Sequence, residues 1–193
     1  MIFVGAHLGC AYGGGLLVAR YVALLRGVNL AGKNKVPMVE LRALFESLGH
    51  TEVSTYIQSG NVLLTSARPL KPKSLETVLH DRFGFLVAVM LRTPQDVERV
   101  VASNPFKGAD TSKLHVGFMA GEPSRQVVDN LDRDRFKPEE FVVQGHDLYL
   151  HLPNGVGRTK LPAYLDRQLK IPFTIRNWNT VMKLFELIGK GSN

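Results

Sequence analysis

One rhythm of secondary structure, strand–helix–strand–strand–helix–strand, can be read twice along these 193 residues. A chain that alternates in this way must bury the apolar side of each sheet under its own helices. That leaves split-βαβ, ferredoxin-like units as the fitting architecture. The expectation is an α+β protein of two tandem ferredoxin-like (βαββαβ) subdomains with an additional C-terminal helix.

The first unit opens with Tyr21–Arg26, a short apolar run of the kind that fills a central strand. A helix follows from Pro37 to Leu48, with Leu41, Leu44, Phe45 and Leu48 on one face and Gly49 to end it. The strands Glu52–Ile57 and Asn61–Thr65 flank a hairpin turn at Gln58-Ser59-Gly60. Lys73–Phe83 reads as a second helix and Phe85–Leu91 as a fourth strand. Pro94–Ala102 reads as a connecting helix behind a Thr93 cap, with Asp96 at its third position. The second unit repeats the order: strand Leu114–Met119, helix Ser124–Leu131, strands Phe141–Gln144 and Leu148–Leu152, helix Lys160–Leu169, strand Phe173–Ile175, then a helix Asn179–Ile188. The implied organisation is a leader over 1–19, subdomains over 20–103 and 114–193, and a linker over 104–113.

With 45% hydrophobic and 21% charged residues, the chain has the composition of a soluble globular protein. A net charge of +7 favours acidic partners such as phosphates or nucleotides. The basic residues are scattered, however, with nothing denser than Lys33-Asn34-Lys35, and a nucleic-acid surface ordinarily shows a run or stripe. The central strands also lack the aromatic platform of an RNA-recognition sheet. Nucleic acid is therefore not the expected partner. Cys10 is the single cysteine, which excludes a disulfide framework within the chain and fits a reducing cytoplasm. Residues 1–19 carry no Lys, Arg, Asp or Glu and five glycines, which suits neither a signal peptide nor a spanning helix. A disordered or non-native leader, without membrane association, is the expectation there.

Two polar clusters stand out because the topology draws together residues distant in sequence. In the second unit, the segment after the third strand and the segment after the fourth share one end of the sheet. Arg158, Thr159 and Lys160 then approach Arg176, Asn177, Trp178 and Asn179. Gly155 and Gly157 free the backbone there, and a helix start beside Lys160 favours negative charge. Arg176 can offer a forked contact to phosphate or carboxylate. A structural reading of the same residues is equally physical: Asn177 or Asn179 caps the last helix, and Trp178 packs between the units. In the first unit, Arg26, Asn29, Lys33 and Lys35 approach Gln58, Ser59 and Asn61. Small polar residues also suit turns for local reasons. Gly27 to Asn34 has the spacing of a phosphate-cradling loop, but Asn34 stands where a magnesium-binding hydroxyl belongs, and Pro37 delays the helix.

Catalytic constellations are otherwise missing. The histidines show no metal spacing, there is no G-x-S-x-G elbow and no H-E-x-x-H. No cofactor or metal is expected. The leading expectation is a binding protein for a small anionic, phosphate-bearing ligand. The alternative is an interaction or assembly module whose polar motifs are structural.

The stretches Tyr21–Asn29, Gly32–Met38 with Leu41-Arg42, Thr55–Asn61, Asn104-Pro105-Phe106, Gly157 to Leu161 and Thr174–Leu184 resemble the bacterial family DUF1697. The resemblance spans residues 20–188. It implies an α+β protein of two related subdomains and brings no activity, substrate or cofactor. Leu30-Ala31 and Ile175 depart from the family pattern in detail.

Overall fold

The computed structural model describes residues 18–30 and 32–189. Among these residues, two four-stranded antiparallel sheets and six α-helices form an α+β protein. The first sheet holds β1 (Ala19–Leu25), β2 (Thr51–Tyr56), β3 (Asn61–Ser66) and β4 (Val89–Arg92) in the order β2-β3-β1-β4. The second holds β5 (Leu114–Met119), β6 (Glu140–Gln144), β7 (Asp147–His151) and β8 (Phe173–Asn177) in the order β6-β7-β5-β8. The helices are α1 (Met38–Ser47), α2 (Pro72–Phe83), α3 (Pro94–Ala102), α4 (Arg125–Asp129), α5 (Leu161–Leu169) and α6 (Trp178–Gly189).

Period-two alternation along the central strands divides the core into three layers. On β1, Ala23 and Leu25 face α1 and α2, where they join Leu41, Phe45, Leu75 and Leu79. Val22 and Leu24 face the other way. There they share one core with Val116 and Phe118 of β5 and with Val100 of α3 and Leu184 of α6. The outer face of the second sheet packs Met119, Leu148 and Leu150 against Tyr164 and Leu165 of α5. The inner faces of both sheets and helices α3 and α6 thus form a common central layer.

Local chemistry accounts for several boundaries. Thr93 and Asp96 make a reciprocal capping box at the start of α3, which opens on Pro94. Gly84 ends α2 in the left-handed conformation at φ 79°. Most expected boundaries shift by a residue or two, and four of the changes bear on the fold or the site. β1 begins at Ala19, two residues before the expected Tyr21, so only Val18 of the expected leader stands outside a strand and 1–17 lie outside the described residues. β4 begins at Val89, after the exposed Leu86. Ser124 is the N-cap of a shorter α4, accepting from the Val127 N–H. The strand expected to end at Ile175 continues as β8 to Asn177, which places Arg176 inside a sheet instead of in a loop.

Superposing the strand registers exposes an internal equivalence. Val22 pairs with Leu63 and Arg92, and Val116 pairs with Tyr149 and Arg176. On that alignment Arg92 corresponds to Arg176, and Asn61 (opposite Leu24) corresponds to Asp147 (opposite Phe118). The caps follow: Thr93 accepts from the Asp96 N–H, and Asn177 accepts from the Thr180 N–H.

Candidate functional site

The extension of β8 decides what Arg176 does. Within a strand, Thr174 and Arg176 share a face, and their register partners Phe118 and Val116 place that face on the central layer. Arg176 therefore points at the first sheet. Its Nε donates to Asn61 Oδ1 at 2.5 Å. Its Nη2 donates to the Leu25 carbonyl at 3.0 Å and the Ser59 carbonyl at 2.8 Å. Its Nη1 donates to Thr174 Oγ1 and the Ile175 carbonyl. Asn61 is fully buried and completes the arrangement by donating to the Tyr56 carbonyl and Ser59 Oγ. This corrects the expectation that Arg176 offers its guanidinium fork to a ligand, because these bonds leave no N–H of the fork free.

At the other end of the central layer the equivalent arginine does the same in reverse. Arg92 of the first sheet donates to the Met119 and His146 carbonyls and to Asp147 Oδ1 of the second, at 3.0, 2.9 and 3.2 Å. The two locks differ in charge. Arg92 meets a buried carboxylate, and Arg99 lies 3.8 Å from that carboxylate's other oxygen. Burial nonetheless pushes the Asp147 carboxyl up, against the pull of Arg92 and Arg99. Arg176 meets only neutral acceptors. Among the described residues it makes no ion pair, and burial alone pulls its guanidinium down to about 10.

A cleft of about 550 Å³ opens beside the Arg176 lock. Arg26, Val28, Leu30 and Ser59 line it from the first sheet's end; Phe173, Ile175, Arg176 and Asn177 line it from β8. Pro162 and Asp166 of α5, Val156 and His115 complete it. Arg26 is half-buried, donates from Nη2 to Asp166 Oδ1 at 2.9 Å, and stacks its guanidinium carbon 5.9 Å from the Phe173 ring centroid. The His115 ring contacts the Lys113 carbonyl through Nδ1 at 3.3 Å, and burial holds its pKa below the usual value. The two sequence clusters thus contribute to one cleft, through Arg26 and Ser59 on one side and Arg176 and Asn177 on the other.

The remaining candidates fall elsewhere. Asn29 sits at φ 54° and ties the loop after β1, donating to the Val36 and Gln58 carbonyls and accepting from the Val36 N–H. Lys33, Lys35 and Gln58 are exposed and outside the cleft lining. Arg158 and Lys160 are exposed and outside it too, which corrects the expectation that they converge with Arg176. Their strand-end placement is right, but the loop brings the still exposed Val156 to the cleft lining and leaves the cations outside it. Thr159 accepts from the Leu161 N–H at the start of α5 and donates to the Glu139 carboxylate. Asn177 caps α6, Trp178 is buried in the central layer, and Asn179 is exposed. Asp166, His115, Arg92 and Asp147 were not singled out as site residues from the sequence. For His115 a signal existed: a polar ring between Leu114 and Val116 interrupts an otherwise apolar central strand.

Gly60 permits the lock. Its φ is +73°, and a Cβ there would stand 2.6 Å from Val28 Cγ2 and 2.8 Å from Leu25 Cβ. Only glycine lets the hairpin press its carbonyls against β1 and Arg176. Among the described residues, no group of three or more His, Cys, Asp or Glu side chains is arranged to hold a metal, and no helix is long and apolar enough to cross a membrane.

A comparison with curated proteins finds no match. A solved structure of a conserved bacterial protein from Streptococcus pneumoniae is similar at 28% identity and a TM-score of 0.70, covering 89% of this chain and 99% of that one. The family model described as protein of unknown function, DUF1697, matches residues 18–149. That span takes in the whole first sheet, the Gly60 turn and the Asn61 half of the lock. The chain belongs to the DUF1697 family.

Proposed function

We propose that the cleft beside Arg176 binds a small anionic, phosphate-bearing ligand, and that the two sheets with their helices are tandem ferredoxin-like subdomains, 20–103 and 114–193, joined through 104–113. The shared strand order supports the second statement. One observation carries the first: Arg176 lines the cleft as a buried cation with no carboxylate partner among the described residues. A desolvated charge without a counter-ion raises the potential of the cavity beside it, and a low-dielectric wall focuses that field. An anion seated there relieves it. The direct contact falls to Arg26, whose guanidinium is already oriented by Asp166 at the mouth. Arg158 and Lys160 act only through long-range attraction. Apolar side chains such as Val28, Leu30 and Phe173 suit a ligand with a nonpolar body. A cytoplasmic setting, with small phosphorylated metabolites at hand, fits this reading.

The competing reading is an interaction module whose polar motifs serve the fold. The complete pairing of Arg176 and Asn61 and the burial of Trp178 favour it for those three residues. Calorimetric titration with inorganic phosphate and a panel of nucleotides and sugar phosphates separates the two. The expected outcome is saturable heat that Arg26→Ala abolishes and Lys160→Ala barely changes. No heat for any panel member in the millimolar range, or equal binding by Arg26→Ala, removes the ligand reading.

A further inference from the structure

Among the described residues, His115 is the one imidazole in the cleft lining, and its surroundings fix its chemistry. A carbonyl can only accept, so the contact between Nδ1 and the Lys113 carbonyl places the proton on Nδ1. Nε2 is then an unprotonated acceptor. Among the described residues it has no protein hydrogen-bond partner, and it is not fully buried. Burial keeps the ring neutral near neutral pH. The charged groups lining the cleft with it are Arg26, Asp166 and Arg176.

The cleft therefore offers cations for an anion and, separately, a neutral acceptor for a donor. His115 pairs in register with Asn177, next to Arg176, yet faces α5 while Arg176 faces the central layer. The two functions lie apart, so one ligand must carry the anion and the donor on different atoms. An ammonium donor would set a further positive charge near Arg26 and Arg176. A hydroxyl would not.

We infer that His115 is a specificity-determining residue, accepting a hydrogen bond from a ligand hydroxyl, so that the cleft selects hydroxylated phosphate esters of the polyol- or sugar-phosphate class over alkyl phosphates. This rests on the anion-binding reading above. The probes are glycerol 3-phosphate and propyl phosphate, which share a phosphate and a three-carbon body and differ in hydroxyls. The wild-type chain is expected to bind the former about tenfold more tightly, the worth of one neutral hydrogen bond. His115→Phe is expected to hold both at the weaker affinity. Because that variant removes the Nδ1 contact as well, nitrogen NMR of the wild-type imidazole gives an independent readout: Nε2 shifts on adding glycerol 3-phosphate and not propyl phosphate. Equal affinities, or an Nε2 resonance that ignores glycerol 3-phosphate, overturn the inference while leaving the anion site standing. Failure of both esters and of inorganic phosphate to bind overturns the two together.

Discussion

Replacing Arg176 with methionine tests whether the lock holds the two sheets together. Methionine keeps an unbranched apolar stem and removes the guanidinium. Three shorter bonds cross from Arg176 to the first sheet, at Asn61 Oδ1, the Leu25 carbonyl and the Ser59 carbonyl, beside a longer one to the Gly60 carbonyl at 3.4 Å. Hydrogen bonds from a charged donor contribute about 2 kcal/mol each, so their loss costs about 6 kcal/mol. Against this stands the charge itself. Burial pulls the guanidinium down to about 10, a desolvation cost of roughly 3 kcal/mol that the variant escapes. The net expected loss is about 3 kcal/mol. In a chain of this size that lowers Tm by about 6–12 °C. Urea unfolding read by circular dichroism measures it as a fall in midpoint at constant slope.

The pH dependence is equally specific. The folded-state value is depressed, so the penalty is complete below about 10 and unchanged further down. The wild-type–variant difference should be flat across roughly pH 5 to 9. Lys160→Met, at an exposed site, should stay within about 0.5 kcal/mol of wild type. A loss below about 1 kcal/mol for Arg176→Met would refute the lock as an energetic feature. A loss that fades towards acid would show that a carboxylate partner, absent from the bond network above, supplies the stability.

Three further outcomes follow from the same geometry. Asp147 has its carboxyl pushed up by burial from 3.8, so its favourable contribution is complete below that value and lost as pH rises through the raised one. Asp147→Asn should therefore gain stability relative to wild type between acid and neutral pH in parallel urea titrations; the opposite slope would mean the attraction of Arg92 outweighs desolvation. Gly60→Ala combines a left-handed backbone with contacts of 2.6 and 2.8 Å, and should lose about 2–5 kcal/mol by thermal or chemical unfolding; a near-neutral result would show the hairpin free to retreat. Asn61→Asp gives Arg176 a counter-ion but cannot donate to the Tyr56 carbonyl or Ser59 Oγ, so it should cost about 1–3 kcal/mol and also remove phosphate-ester binding from a folded protein. Retained binding would disconnect the Arg176 charge from the cleft.

Much of the architecture was legible because it rests on local signals. The central strand Leu114–Met119 and the helix Pro94–Ala102 come out at their observed limits, one from an apolar run and the other from a Thr-Pro-x-Asp start. The hairpin at Gly60 is likewise local, whereas the meeting of the loop after β1 with it, where Asn29 donates to the Gln58 carbonyl, follows from the strand order. Arg176 was misplaced for two separate reasons. Ending β8 at Ile175 put it in a loop, where arginines commonly serve ligands, although Arg176 pairs with Val116 as an ordinary strand residue. Beyond that, period-two alternation tells which face a strand residue occupies, but not what lies opposite. That partner depends on how the second sheet docks, and the bonds to Leu25 and Asn61 span separations of 151 and 115 residues.

The internal equivalence supplies what alternation lacks. Had the two halves been laid over each other strand by strand, Arg92 would fall on Arg176 and Asn61 on Asp147. An arginine on the fourth strand and a polar acceptor opening the third, both repeated and both facing a shared apolar layer, can be satisfied together only if each arginine crosses to the other half's acceptor. The difference between the copies then becomes informative. Placing a carboxylate at 147 neutralises the guanidinium it meets, whereas the amide at 61 satisfies the geometry and leaves the charge in place. Two ends with the same mechanical task thus differ by one ionisable oxygen, and the guanidinium without a carboxylate among the described residues is the one at the end where Arg26, Ser59 and His115 line a cleft, as the proposed anion site requires.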